Sequence, residues 1–582
     1  MYLARLEITN FRKLAKVTLE FEAGLNIIVG ANNVGKSAVV DALRALLAGA
    51  DDPYPRFTTD DIHCPKGEER KGAISFIYTF KDMTPDDEAD FLPALKLGAD
   101  KKIEASITVQ YGDPDKSGRL KTRRWCGDHE ENALTADVLE NLRSVYLQPL
   151  RDAGQALKPG RSSQLARLFQ LLSDDDGRKQ INDALVQLDV DLKKHSPLVN
   201  THKAITTRHE EMIGAQLKQV LDLGLSGTDF QKLAARLSLL VDTFEIEQNG
   251  LGFNNLIFMA VVLSEMAMNP DAAFRGLIVE EPEAHLHPQL QSVLLKYLSG
   301  VKAEVGEKPV QVFVTSHSPN FASIASLDTI MCLVDTGGTV EAFAPRAIKF
   351  EKGKKEKLER YLDVTRAELF FARRIIFVEG AAELLMVNTL AQKAGYDLRQ
   401  HGVSVISVEG LNFDSFLPLF GETALKIRVA VVTDADPEKI VVADGEPVAH
   451  YPALGEAITI SDNTAKMKKQ EDSLVKVFHG VKTFEYDLAL HEENRPTMIA
   501  ALKEIHPKIG AALEADLALK ANDQEKAEAL FRGMFERSEN NVQKGKFGQS
   551  LSAMIDDENL AIKVPDYILD AIKHVCGDGD AA

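Results

Sequence analysis

An eight-residue stretch, Gly30-Ala-Asn-Asn-Val-Gly35-Lys36-Ser37, sits between a short apolar run, Leu25 to Val29, and a segment of helical periodicity, Ala38 to Leu47. No other feature constrains the chain as strongly. A strand, a glycine turn and a helix in that order turn successive backbone N–H groups inward, and the helix N-terminus adds partial positive charge. The lysine and the hydroxyl then stand where a terminal phosphate and its Mg²⁺ need them. The pattern predicts a parallel α/β sheet with a phosphate-binding loop at its edge, in which Gly30, Asn33, Gly35, Lys36 and Ser37 hold ATP and Ser37 also ligates Mg²⁺.

Two later motifs extend this site. Gly276-Leu-Ile-Val-Glu280-Glu281-Pro-Glu283 ends an apolar strand in acids; Glu280 is expected to hold the Mg²⁺ shell through water and Glu281 to orient the water that attacks the γ-phosphate. Phe313-Val-Thr-Ser-His317 places a histidine at the end of another apolar strand, and Gln148 in Val145-Tyr-Leu-Gln-Pro is a candidate strand-end contact to the same ion. Between about Arg151 and Leu240 the apolar residues, among them Leu165, Leu168, Leu172, Ile181 and Leu185, fall at helical spacings. The first domain is therefore split by a helical insertion. LARLEITNFRKL, GANNVGKS, EEPEAHLHP and TSHSP together resemble the ABC-type heads of the RecF and SMC class, over Met1 to about Arg346. That resemblance implies a γ-phosphate-sensing role for His317 and a Q-loop role for Gln148. It also makes Gly250-Leu-Gly252 the stand-in for a signature loop that completes the ATP site of the opposite subunit, so the working unit is a homodimer or a higher homo-oligomer. Glu280 stands where such heads carry Asp, and the signature lacks its LSGG form, so slow hydrolysis is expected.

A second alternation of strand and helix follows: Ile375 to Val378, Glu383 to Lys393, Val403 to Val408 and Val429 to Thr433. It predicts a second parallel sheet with functional groups at the carboxyl ends of its strands. Phe-Val-Glu379-Gly380-Ala-Ala-Glu383 and Val-Val-Thr-Asp434-Ala-Asp436 put four carboxylates there, a crowding of like charge that divalent cations relieve. The Glu-Gly followed by DxD resembles Toprim, the topoisomerase and primase type of catalytic domain. With Thr483-Phe-Glu485-Tyr-Asp487 and Lys544-Gly-Lys546-Phe-Gly downstream and the head in front, the chain resembles the OLD (overcoming lysogenization defect) family of nucleases, which includes the nuclease subunit of the Gabija defence system. The resemblance implies metal-dependent DNA cleavage with two ions, Mg²⁺ or Mn²⁺, at Glu379, Glu383, Asp434, Asp436 and Glu485, with Thr483 beside them. Lys544, preferred over Lys546, would stabilise the transition state.

The expected architecture is thus α/β throughout: an ABC-type P-loop head at 1–150 and 241–350, a helical dimerisation insertion at 151–240, a linker at 351–370, and a Toprim domain with helical additions at 371–582. At 582 residues, with 45% hydrophobic and 27% charged residues, the chain has the size and composition for two or three soluble domains. Four scattered cysteines (Cys64, Cys126, Cys332, Cys576) form neither a disulfide framework nor a zinc motif, and no leader or long apolar stretch stands out, so a cytoplasmic protein with no membrane contact is expected. A net charge of −19 disfavours nonspecific adhesion to nucleic acid, so DNA must be held locally. Candidates are Arg119 to Arg124, Lys352 to Lys357, Arg373 with Arg374, and Lys466 to Lys469. A role in anti-phage defence or DNA processing, with a helicase or other defence-system partner, is implied by the resemblance alone. Two rival readings are a Toprim topoisomerase using Tyr486 as nucleophile and a non-cleaving RecF- or SMC-like DNA clamp.

Overall fold

The structure, a computed structural model, describes the chain except residues 49–52, 66, 100, 149–156, 161–162, 215, 218, 228, 243, 269–271, 285, 301–308, 411, 444–445, 556–561 and 578–582. The first strand, Tyr2–Phe11, buries Leu3, Leu6, Ile8 and Phe11 and pairs on either side with Leu14–Glu20 and Ile74–Lys81. Ile103–Gly112, Leu95–Leu97 and Lys121–Cys126 complete this antiparallel sheet. The basic stretch Arg119 to Arg124 belongs to it. Arg123 pairs with Asp113 at 2.7 Å, and the Arg124 guanidinium lies 4.1 Å from the Tyr54 ring centre.

Leu25–Gly30 is buried at all six positions, as a strand covered on both faces must be. It lies inside a second sheet in the order Val340–Phe343, Ile330–Asp335, Leu25–Gly30, Gln311–Thr315, Phe274–Glu280, Leu142–Leu147, parallel except for the first of these. Strands from before and after the insertion thus join one sheet, and the helix Lys36–Leu47 packs its buried face into the core shared with the antiparallel sheet. The insertion contributes the helices Gln164–Leu171, Asp175–Leu192, Ser196–Ile213 and Phe230–Ala234. The two longest bury no residue, although Val186, Val190, Val199, Ile205 and Met212 lie on them.

A four-stranded parallel sheet follows, in the order Val403–Ser407, Arg374–Val378, Arg428–Thr433, Val475–His479. Helices Ala381–Lys393 and Asp566–Cys576 cover it, and Asn494–Ile505, Pro507–Leu517, Asp523–Phe535 and Lys544–Ile555 build outward from them. The stretch 351–370, expected as a linker, is packed structure. Gly353, at φ 81°, starts the helix Lys354–Tyr361, and a 3₁₀ segment spans Arg366–Phe370. Leu358, Ala367 and Leu369 are buried in a core that runs from Leu327 and Ile330 of the head to Ile375 and Phe377 of the second sheet. The lysines there serve this junction: Lys355 pairs with Asp328 at 2.6 Å, and Lys354 and Lys357 both face Asp414. Among the described residues no helix is long and apolar enough to cross a membrane.

Candidate functional site

The glycine loop has the backbone its sequence demands. Gly30, Asn33 and Gly35 all have positive φ, and a Cβ on Gly30 would lie 2.5 Å from the Leu333 carbonyl oxygen, so only glycine fits that first position. Lys36 folds back to donate to the Gly30 and Ala31 carbonyls at 2.6 and 2.9 Å. Burial pushes its pKa down to about 8, against the opposing pull of Glu281 and Glu283. An anion at the loop reverses that penalty, since it supplies the countercharge that burial removes.

Around the loop the strand ends converge. Glu280, buried, is hydrogen-bonded by the Ser37 hydroxyl and accepts from the Tyr146 hydroxyl at 2.6 Å; burial raises its pKa and these bonds oppose the rise. Glu281, at φ 45°, brings a carboxylate oxygen to 3.4 Å from His317 Nε2. Burial first, then the charge of Lys36, lowers the His317 pKa, against the opposing pull of Glu281. Two residues given no role from sequence hold the arrangement. Tyr146 reaches Glu280 because the strands Leu142–Leu147 and Phe274–Glu280 pair with Tyr146 opposite Ile278. Glu283 accepts from the Ser316 hydroxyl at 2.7 Å and the His317 N–H at 2.9 Å, tying the acidic turn to the histidine turn. Gln148 lies, exposed, one residue past its strand. Arg151 and Asp152 fall outside the described residues. Gly250 and Gly252 open the helix Leu251–Met268, where Leu251 and Phe253 are more than half exposed; neither glycine borders the hollow around Lys36 and Ser37 of its own chain.

The second site forms at the carboxyl edge of the parallel sheet. Glu379 follows the strand Arg374–Val378, and Thr433, closing the neighbouring strand, points its hydroxyl at Glu379 from 3.4 Å. Glu383, in the first turn of the next helix, accepts from the Gly380 N–H at 3.1 Å. Asp434 accepts from the Phe484 N–H at 2.9 Å, and this bond places the helix Phe484–Leu490, with Glu485, against the strand ends. Asp436 is exposed in a left-handed conformation at φ 43°. Lys544 opens its helix and, although its side chain is 46% exposed, meets Glu485 at 2.8 Å; Lys546, also exposed, forms no ion pair among the described residues. Glycine sets this approach: a Cβ on Gly548 would stand 3.0 Å from the Ala382 Cα, so the lysine helix packs close against the helix that carries Glu383. Thr483 lies beside Glu485, its hydroxyl 3.5 Å from the carboxylate.

The electrostatics of this edge are those of crowded anions. Burial, then Asp436, raises the Glu379 pKa. Burial, then Glu485, raises Glu383 to about 7, and burial, then Glu379, raises Asp434 well above the usual carboxylate range. Burial disfavours the Lys544 charge, yet Glu485 and Asp434 overcome it and hold its pKa above the ordinary value. Among the described residues no three His, Cys, Asp or Glu groups are spaced to close on one ion as they stand. Hydrogen bonds engage Asp434 and Glu383 with backbone N–H groups, and the Lys544 ammonium occupies one side of Glu485. The donor set nonetheless fits hard divalent cations: every ligand is oxygen, and Glu485 Oε1 is buried with no hydrogen-bond partner. Sequence reading passed over Tyr567, whose pKa burial drives up, then Asp487, Asp434 and Glu383, which marks its hydroxyl as close to these acids. Asp487 has a different task, accepting from the Val481 and Lys482 N–H groups. Tyr486 is wholly buried and donates to the Pro452 carbonyl at 2.9 Å, which removes it as an attacking hydroxyl.

Of the remaining basic stretches, Arg374 donates to the Cys576 carbonyl and Arg373 turns toward the head. Lys466, Lys468 and Lys469 lie on or beside the short helix Asp462–Lys468, which the acidic loop anchors: Thr464 donates to the Asp434 carbonyl at 3.1 Å.

Comparisons with known proteins match two parts of the chain. Residues 370–436 match the family described as overcoming lysogenization defect protein-like, TOPRIM domain, and residues 25–323 match the family described as AAA domain, putative AbiEii toxin, Type IV TA system. The chain is 22% identical over 500 residues to the uncharacterized protein YbjD of Escherichia coli strain K12, covering 80% of this chain and 84% of that one. It is 24% identical over 432 residues to the OLD nuclease of Thermus scotoductus, covering 70% and 77%. To the endonuclease GajA of Bacillus cereus strain VD045 it is 20% identical over 461 residues, covering 75% of each chain.

Proposed function

From the premise that the chain belongs to the AAA-domain family described as putative AbiEii toxin, Type IV TA system, and carries an overcoming lysogenization defect protein-like TOPRIM domain behind that ATPase part, we propose that it is an ATP-dependent, metal-dependent DNA endonuclease. The observation that carries this reading is the acidic edge itself: Glu379, Glu383, Asp434 and Glu485 gather around Lys544, and burial together with neighbouring carboxylates drives up the pKa values of Glu379, Glu383 and Asp434. With Asp436 they would hold two Mg²⁺ or Mn²⁺ ions, and bound ions of this kind activate water and stabilise a leaving oxygen. Thr433 orients Glu379, the Phe484 N–H orients Asp434, and Lys544 supplies a fixed cation for charge that develops on phosphorus oxygens. Lys466, Lys468 and Lys469 lie where a DNA backbone entering that edge would meet positive charge.

At the other site Gly30, Asn33, Gly35, Lys36 and Ser37 take the triphosphate, Glu280 shares the Mg²⁺ with Ser37, and Glu281 with His317 orients the hydrolytic water. Gln148 would touch the same ion. Gly250, exposed, and Gly252, half-buried, both away from the P-loop hollow of their own chain, suit a site completed by a second copy, and the unburied insertion helices supply surface for its docking. The cytoplasm is the compartment proposed, on four free cysteines. Anti-phage defence with a helicase or similar partner is the biological setting we infer from the OLD and GajA relatives.

Purified protein incubated with supercoiled plasmid and Mg²⁺ or Mn²⁺ is expected to yield nicked or linear DNA, and Glu379→Ala to yield none. Equal cutting by Glu379→Ala would remove the acidic edge from the chemistry. Relaxed closed circles would instead point to strand passage.

A further inference from the structure

A cleft of about 470 Å³ separates the head from the second sheet. Gly30, Ala31, Asn32 and His317 form its head wall, and Arg373 and Arg399 stand on the opposite wall. His317 also borders the hollow around Lys36 and Ser37, so one side chain faces both spaces. The head wall is the part of the loop onto whose carbonyls Lys36 folds, the end of a P-loop that meets the terminal phosphate. Neither arginine has an ion-pair partner among the described residues. The acid in the cleft, Glu368, already accepts from the Ser404 hydroxyl at 2.7 Å. Two guanidinium groups, neither in an ion pair, share the cleft with this one carboxylate and face a phosphate loop; they have the fork geometry and permanent charge that phosphate recognition uses.

The same wall is mechanically continuous with the acidic edge. Arg373 directly precedes the strand Arg374–Val378, which ends at Glu379, and its stem lies against Gly402, directly before the strand Val403–Ser407. These strands pair in register from Arg374 opposite Val403 to Val378 opposite Ser407. Arg366, at the start of the segment that reaches the cleft through Glu368 and Phe371, donates to the Ser407 carbonyl at 2.9 Å and pairs with Glu409 at 2.7 Å. The strand Arg374–Val378 thus joins the cleft at its start to Glu379 at its end.

We propose that this cleft is a nucleotide-sensing site within one chain: Arg373 and Arg399, carried by the nuclease half, engage the terminal phosphate of ATP held by the P-loop, and loss of that phosphate releases them and shifts the acidic edge. The proposal rests on the reading that the chain binds ATP and cuts DNA. It assigns to these arginines a positioning role toward cleavage and a binding role toward nucleotide.

The test uses full-length protein without DNA, titrated with fluorescent ATP and ADP in Mg²⁺, for the native chain, for Arg373→Ala/Arg399→Ala and for Arg373→Lys/Arg399→Lys. The native chain should prefer ATP over ADP, the alanine pair should lose that preference by roughly tenfold, as removal of charge-assisted phosphate contacts implies, and the lysine pair should recover part of it. In plasmid cleavage, the factor by which ATP changes the rate should approach one in the alanine pair. An ATP preference and an ATP response both equal to the native values would overturn the proposal. Should the native chain leave plasmid uncut, the nuclease reading fails while the binding ratio still decides the cleft.

Discussion

Lys544 and Glu485 define the chemistry of the second site at the scale of single residues. A cation 2.8 Å from a buried carboxylate, with Asp434 and Glu383 also raising its pKa, is preorganised for transition-state charge. Lys544→Ala should lower cleavage by about 100- to 1,000-fold, the range for deleting one preorganised donor, roughly 2.7 to 4 kcal/mol. Lys546→Ala, which removes no ion pair to the acidic edge among the described residues, should stay near the native rate; steady-state nicking assays of both compare them, and a reversed order would reassign the lysine. Glu383 makes a prediction about pH. Its pKa is about 7 in the fold against 4.5 ordinarily, so across that window the folded chain keeps a proton that the unfolded chain has released. Ion-free protein should therefore lose stability as pH rises from about 4.5 to about 7, by up to roughly 3 kcal/mol at about 1.4 kcal/mol per unit. Asp487, also held at about 7, acts in the same direction, but its carboxylate is engaged by backbone N–H groups. Added Mn²⁺ should therefore raise the melting temperature more at the higher pH through Glu383 and its neighbours. A calorimetric response equal at both pH values would contradict the assignment.

Elements explain why part of the site was legible and part was not. The P-loop, the Glu-Gly turn and the DxD turn are each written in a few consecutive residues, because a strand end and the following helix turn fix their own geometry. Tyr146, Glu283 and Tyr567 gain their places from pairing and packing across long separations, and no local pattern announces a tyrosine opposite Ile278 or near Asp434. The run Lys352 to Lys357 looked like a free basic patch and a linker, yet Leu358, hidden within its helix, pins it into the junction while Asp328 and Asp414 take its charges. Gly548 belongs to the same class: its role is visible only once the Ala381–Lys393 helix lies against it. The insertion is the opposite case, since its helical period was plain but its two longest helices bury none of their apolar positions. Val186→Asp with Val190→Asp, on the helix Asp175–Leu192 where both stand about half exposed, should shift the protein to a smaller species in light scattering. A native chain already monomeric at working concentration would contradict the docking role.

For the whole molecule, the packed junction at 351–370 matters most. A flexible tether would leave the head and the second sheet independent, whereas one core running from Leu327 to Phe377 makes them a single body in which a change at the P-loop has a rigid route to the acidic edge. The net charge of −19 fits this economy, since DNA must then be held by local positive charge near the acidic edge, such as Lys544, Lys482 and the cluster at Lys466 to Lys469. All of it depends on that edge holding metal. The most direct measurement is anomalous diffraction from crystals of the full chain soaked in Mn²⁺. Metal held at the acidic edge should give peaks bounded by Glu379, Asp434 and Glu485, with Lys544 drawn off the Glu485 carboxylate and no such peaks in Glu379→Ala. Mn²⁺ bound only at the P-loop, or unchanged peaks in the variant, would contradict it.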